Sequence, residues 1–99
     1  MLLRERETPE GLLVSVCDEA CLGETYENGD ITLEVEAEFY GGDEAVDAGP
    51  DAVVDALRRA SVANIVGTDA VAVAVDAGLV DEKTVLEVET TKHAQLMWL

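Results

Sequence analysis

Acidic residues recur along this chain at the period of its secondary structure instead of collecting in a tail, and that pattern limits what the chain can become. The acids run from Glu5 to Glu89, interleaved with Val, Leu and Ala. Asp and Glu number 22 against 6 Lys and Arg, a formal net charge of −16 on 99 residues. A disordered acidic segment lacks the apolar half that a core needs, whereas 48% of these residues are hydrophobic. The acids therefore coat a folded domain. The only lysines are Lys83 and Lys92. Dense carboxylate with so little lysine suits a solvent at molar salt, where the Debye length is about 3 Å and self-repulsion is screened. The composition implies a halophilic, cytoplasmic protein.

A chain of 99 residues is expected to form one domain over residues 1–99, with room for a small sheet and two helices. No apolar run approaches the ~20 residues of a membrane span. The opening Met1-Leu2-Leu3-Arg4-Glu5-Arg6 is charged too early for a secretory signal. No membrane partner is expected. Cys17 and Cys21 are expected reduced, because a small secreted scaffold carries more cysteines and an export signal.

Leu2–Glu7 and Leu12–Cys17 read as a β-hairpin around Thr8-Pro9-Glu10-Gly11, with Pro and Gly at their favoured type I turn positions. Asp18–Gly23 reads as one helical turn, capped by Asp18 and ended by a left-handed Gly23. Asn28-Gly29 marks a turn. Ile31–Glu36 alternates as a strand with Ile31, Leu33 and Val35 inward. Phe39-Tyr40-Gly41-Gly42-Asp43 reads as a loop. Pro50 opens a helix whose inner face includes Val53, Leu57, Asn64 and Ile65, with Gly67 as its C-terminal cap. Thr68 caps a second helix ending at Gly78. Val71–Val75 also alternates like a strand, but the alanines and the two caps favour helix. Val85–Glu89 is a strand, Thr90–His93 a turn and Ala94–Leu99 a terminal strand.

Five segments in this order resemble a known family: Val16-Cys17-Asp18 with Leu22-Gly23; Glu38-Phe39-Tyr40-Gly41-Gly42; Ala63-Asn64-Ile65-Val66-Gly67; Ala77-Gly78-Leu79-Val80; and His93-Ala94-Gln95. The resemblance is to domain-of-unknown-function family 424, small archaeal proteins, and it covers nearly the whole chain. It implies a compact α+β domain in a haloarchaeal setting, no established reaction, and an association with RNA binding or translation. Relatives carry Lys after the Leu-Gly pair where this chain has Glu24, which weakens a phosphate-binding reading there. They carry Gly-Val-Pro before the His, where this chain has Thr90-Thr91-Lys92.

Several constellations invite chemistry. Cys17, Cys21 and His93 are zinc-type ligands, but a closed structural site wants four, and free cysteines are usually small buried hydrophobes. Cys17 with His93 has the makings of a nucleophile and base, opposed by Asp18 and Glu19, whose charges raise a neighbouring thiol pKa. No serine elbow, H-E-x-x-H or P-loop is present. His93 and Gln95, two apart on a strand, point to one side as a ligand pair or as ordinary edge residues. Asn64 fits a cap or a hydrogen bond to the sheet. Phe39-Tyr40-Gly41-Gly42 joins aromatics that stack on bases to glycines that admit a close ligand. Phe39 is expected in the core and Tyr40 nearer the surface. The two helices at Gly67-Thr68 form no DNA reader, since Asp69, Ala72, Val73 and Asp76 cannot read bases. No D-x-D-x-D-G loop exists for Ca²⁺.

The expectation is therefore an α+β domain with a mixed or antiparallel sheet of four or five strands and two helices on one face. It is expected to be a non-enzymatic binding module without cofactor or metal. Its candidate surface is Tyr40, Gly41, Gly42, His93 and Gln95. Its partner is RNA or a protein of the translation machinery, and not DNA. Two alternatives stand beside this: a protein–protein adaptor that never touches RNA, and a small Cys/His-dependent enzyme. The oligomeric state is left open.

Overall fold

Two central, largely apolar strands organise the molecule, Gly11–Cys17 and Val62–Val66. The computed structural model describes residues 1–97. Strand β1 (Leu2–Thr8) turns at Pro9-Glu10 into β2 (Gly11–Cys17), in register from Leu2↔Cys17 to Thr8↔Gly11. Thr8 holds the turn: its Oγ1 donates to the Gly11 carbonyl at 2.8 Å and accepts the Glu10 N–H at 3.2 Å. A 3₁₀ turn over Glu19–Cys21 leads into β3 (Thr25–Asn28) and β4 (Ile31–Glu34), a hairpin with Gly29 at its tip. Then come α1 (Ala37–Tyr40), β5 (Val46–Asp47), α2 (Pro50–Arg59), β6 (Val62–Val66), α3 (Thr68–Asp76), β7 (Leu86–Val88) and β8 (Thr91–Met97).

The main sheet has the order β5-β1-β2-β6-β8-β7, and β3–β4 forms a second, two-stranded sheet. Strands β2 and β6 run parallel, and the other pairs are antiparallel. The class is α+β with a mixed sheet, and its six strands exceed the four or five expected. Helices α2 and α3 share one face. Val53, Ala56 and Leu57 from α2 and Ala70, Val71 and Ala74 from α3 pack on Leu3, Val14, Val16, Ile65 and Leu96. The opposite face is half covered by α1 and the β3–β4 hairpin, around Cys17, Cys21, Val35, Tyr40 and Val66.

The largest departure from expectation is β6. The helix that begins at Pro50 ends at Arg59, and Ala60 is already extended, with φ −69° and ψ 142°. The Ser61 N–H joins the Leu12 carbonyl at 2.8 Å, and Val62–Val66 becomes a central strand. Four of its five residues are apolar whichever side they face, so the strand shows no polar alternation and its pattern merges with the preceding helix face. Three β-branched residues, Val62, Ile65 and Val66, carried the strand preference. Gly67, at φ +115°, accordingly opens α3 instead of closing α2.

Smaller corrections have local causes. The segment before Asn28-Gly29 is a strand, paired with β4 from Thr25↔Glu34 to Asn28↔Ile31. Of Ile31, Leu33 and Val35 only Val35 is fully buried, because the two-stranded hairpin lies over the sheet and has no layer above it. The last turn is Glu89-Thr90, so Thr91–His93 belong to β8. The expected terminal strand over 94–99 runs to Met97, and its last two residues lie outside the described ones. Asn28-Gly29, the helical reading of Val71–Val75 and the left-handed Gly23 and Gly78 hold.

Candidate functional site

Residues directly across neighbouring strands stand on the same side of a sheet. The register puts Arg6, Leu13, Val62 and Met97 in one row, and Arg4, Ser15, Asn64 and Gln95 in the next. The third row is Leu2, Cys17, Val66 and His93. All three face away from α2 and α3, whose core takes the alternate residues. The third row is roofed by α1 and the β3–β4 hairpin, and the first is open. Leu13 and Val62 are half-buried there, and Met97 is 65% exposed. No Asp or Glu occupies any of these positions on β1, β2, β6 or β8, in a chain that has 22. Alternation along β1 produces the contrast: Glu5 and Glu7 take the helix side, Arg4 and Arg6 the open side.

Arg4 ties the roof to the sheet. Its Nη1 donates to the Glu38 carbonyl and, at 3.1 Å, to that of Gly41, while Nη2 lies 3.7 Å from the Glu44 carboxylate. Arg6 has no ion-pair partner among the described residues, and its guanidinium carbon lies 5.5 Å from the centre of the Phe39 ring. Phe39 meets Tyr40 edge to face at 5.0 Å. In the middle row Gln95 Nε2 donates to Asn64 Oδ1 at 2.9 Å. Where the roof ends above this row, a cavity of about 240 Å³ opens between Glu34, Glu36, Phe39, Tyr40 and Asn64. Three larger clefts, of about 500, 430 and 280 Å³, have no aromatic or amide side chain in their walls; the first is lined by Val and Ala with three acids and Lys92, the second chiefly by acids, and the third by the first turn with Leu12, Leu13, Ser61 and Val62.

The expected surface residues divide. His93 lies in the roofed row and Gln95 in the next, both on the side away from the helices; Tyr40 packs over the roofed row with Cys17 and Val66, while Gly41 and Gly42 lie against Arg4 on β1, three strands from β8. Tyr40 itself is 5% exposed, and burial with nearby Cys17 pushes its phenol up to about 12. It supports the site from beneath, and the accessible aromatic is the half-buried Phe39, the reverse of expectation. The α1 turn causes the exchange, because its inward position falls on Tyr40, in the cluster with Cys17 and Val35. Gly41 is also buried, and a Cβ there would stand 2.9 Å from the Ala37 carbonyl oxygen. Gly42 is exposed at φ +90°.

Cys17 and His93 flank Val66 in the third row, two strand spacings or about 10 Å apart. They form no nucleophile–base hydrogen bond. Cys17 is fully buried; burial, then the charges of Cys21 and Asp18, push its thiol up to about 11. Burial lowers the His93 pKa below its ordinary value. Cys21 Sγ lies 3.5 Å from Thr91 Oγ1. Among the described residues, no three His, Cys, Asp or Glu side chains converge on a point where an ion could sit. Sequence reasoning placed Phe39 in the aromatic–glycine segment but in the core, left Arg6 outside the candidate surface, and passed over Glu34 and Glu36. The pairing of Arg4 and Arg6 on one side of β1 was the signal that could have found the face.

A half-roofed mixed sheet backed by two helices defines a small α+β domain with one accessible face. The chain belongs to the family described as a protein of unknown function (DUF424), which it matches over residues 5–99. It is also similar to the crystal structure of an uncharacterized conserved protein from Methanopyrus kandleri, with 27% identity and a TM-score of 0.73. That similarity covers 99% of this chain and 93% of the other. No match is found among curated proteins. No helix is long and apolar enough to cross a membrane among the described residues.

Proposed function

We propose that this protein is a non-enzymatic binding module of a salt-rich cytoplasm that takes single-stranded RNA, bases inward, on the open rows of its sheet. The observation that carries the reading is the absence of acids from those rows, together with Arg6, Phe39 and the Asn64–Gln95 amide pair. A body of net charge −16 repels phosphate, and at molar salt counterion release adds little affinity. Contact with RNA then has to run through the bases. Aromatic, guanidinium, amide and apolar side chains on an open sheet supply base contacts by stacking and hydrogen bonding. A duplex keeps its base faces stacked inside and offers phosphates, 2′-hydroxyls and base edges, on which an aromatic ring cannot stack, so the ligand is single-stranded.

Fluorescence anisotropy with a labelled single-stranded RNA at about 1 M KCl tests the reading, salt being high enough to screen the acids. Binding is expected, and Arg6→Glu weakens it roughly tenfold or more by removing a stacking cation and adding a repelling charge. The row of Leu13, Val62 and Met97 also suits a protein surface. If no RNA binds and the same variant instead loses a partner from the translation machinery, the adaptor reading replaces this one.

A further inference from the structure

The geometry points to a single-base site for guanine in the cavity between Glu34, Glu36, Phe39, Tyr40 and Asn64. At about 240 Å³ it falls below the ~300–1,000 Å³ of drug-sized sites, a scale suited to one flat heterocycle and not to a base pair. Its walls present three kinds of group. Phe39 supplies an aromatic ring, already paired with Arg6 at 5.5 Å. Glu34 and Glu36 supply carboxylate oxygens, which accept hydrogen bonds. Asn64 supplies its NH₂ as a donor, its Oδ1 already accepting one hydrogen bond from Gln95 Nε2 at 2.9 Å.

Guanine carries two adjacent donors, the N1–H and the exocyclic amino group, beside the acceptor O6. The two donors match the two oxygens of one carboxylate in the parallel fork that makes such pairs strong. O6 then falls to the Asn64 NH₂. Adenine and cytosine each place an acceptor beside their amino group, which would face a carboxylate unpaired, and uracil flanks its one donor with two carbonyls. A carboxylate has no proton to offer, so a base that turns an acceptor toward it sets lone pair against lone pair and binds less well than guanine. The acids are thus useful at this spot: they exclude wrong bases, and the neighbouring acid-free rows receive the flanking nucleotides.

This inference rests on the RNA reading above, and the test separates the two. Full-length protein is titrated at about 1 M KCl with labelled uridine oligonucleotides carrying one central guanosine, adenosine or inosine. Guanosine is expected to bind roughly tenfold or more tighter than adenosine, and inosine, which lacks the amino group, to fall between. Glu34→Gln and Glu36→Gln sit on exposed positions and leave the fold intact. Each removes a negative charge and so tightens RNA generally, but the variant that supplies the fork brings the guanosine-to-adenosine ratio toward one. Equal binding of all three oligonucleotides overturns the guanine site and leaves the RNA reading standing. If no oligonucleotide binds, the RNA reading fails. Guanosine alone then decides the cavity: an NMR shift at the Asn64 side-chain amide with guanosine but not adenosine upholds the site, and none overturns it.

Discussion

The carboxylate of Asp18 accepts the backbone N–H of Ala70 at 2.9 Å and that of Asp69 at 3.0 Å, closing the first turn of α3 from 52 residues away. Asp18 stands just after β2, and the local pattern marks it as the cap of the turn that follows. It makes no such bond there. Strand β2 ends beside β6, with the Asp18 N–H on the Val66 carbonyl at 3.0 Å, so the carboxylate reaches the helix that leaves β6. Gly67 sits in the bend at φ +115°, where a Cβ would stand 2.3 Å from the Asp18 carboxyl carbon.

Asp18→Ala is expected to cost about 1–2 kcal/mol, a Tm loss of roughly 4–8 °C for a domain this size. Asp18→Asn keeps most of the stability. Gly67→Ala costs about 2–3 kcal/mol through strain and collision with the cap. Thermal melts of the two single variants and the double variant check this. The double variant should lose less than the sum, since removing the carboxylate removes the collision.

Arg4→Lys should loosen the loop over Gly41 and Gly42. A lysine has one nitrogen where the guanidinium has three, so it cannot hold the Glu38 and Gly41 carbonyls, as Nη1 does, and also the Glu44 carboxylate beside Nη2. The expected loss is about 1–2 kcal/mol, with faster amide exchange confined to residues 38–44 and no change in α2 or α3. Exchange that rises evenly over the whole chain would count against a local clamp.

Burial acts on His93 and Cys17 in opposite pH windows. The His93 pKa is lowered below its ordinary 6.5, so its neutral form is favoured on folding. That contribution is present above pH 6.5 and is lost as pH falls through the folded value. The Cys17 thiol is raised from 9.0 to about 11, so its contribution is present below pH 9 and is lost as pH rises toward 11. An NMR titration should place the His93 midpoint below 6.5. At pH 8 a thiol reagent should find Cys17 silent until denaturant is added, and rapid labelling of the native protein would contradict the burial.

Folding itself should depend on salt. With −16 charges on 99 residues, self-repulsion is screened within about 3 Å at 1 M KCl but reaches about 10 Å at 0.1 M. Melting temperature followed by circular dichroism should climb steeply across that range. A flat profile down to 50 mM would remove the halophilic reading.

Local chemistry was legible where one element carried its own signal. Thr8-Pro9-Glu10-Gly11 set the first hairpin, Asn28-Gly29 the second turn, Pro50 a helix start, and the alanines of 70–77 the second helix. Those signals also yielded the α+β class. What they could not yield was the partner each element meets. Val62–Val66 has the composition of a helix end until β2 and β8 flank it, because four apolar residues in five hide the alternation that marks a strand. Tyr40 and Phe39 are interchangeable as neighbours in sequence, and only the turn over Ala37–Tyr40 decided which one entered the core with Cys17. Asp18, Asn64 and Gln95 each read as local polar residues. Their hydrogen bonds run to positions 31 to 52 residues distant. Periodicity and capping act within about one turn or one strand. The cap on α3, the amide pair and the acid-free face depend instead on which strands lie side by side, and strand order is a property of the assembled sheet alone.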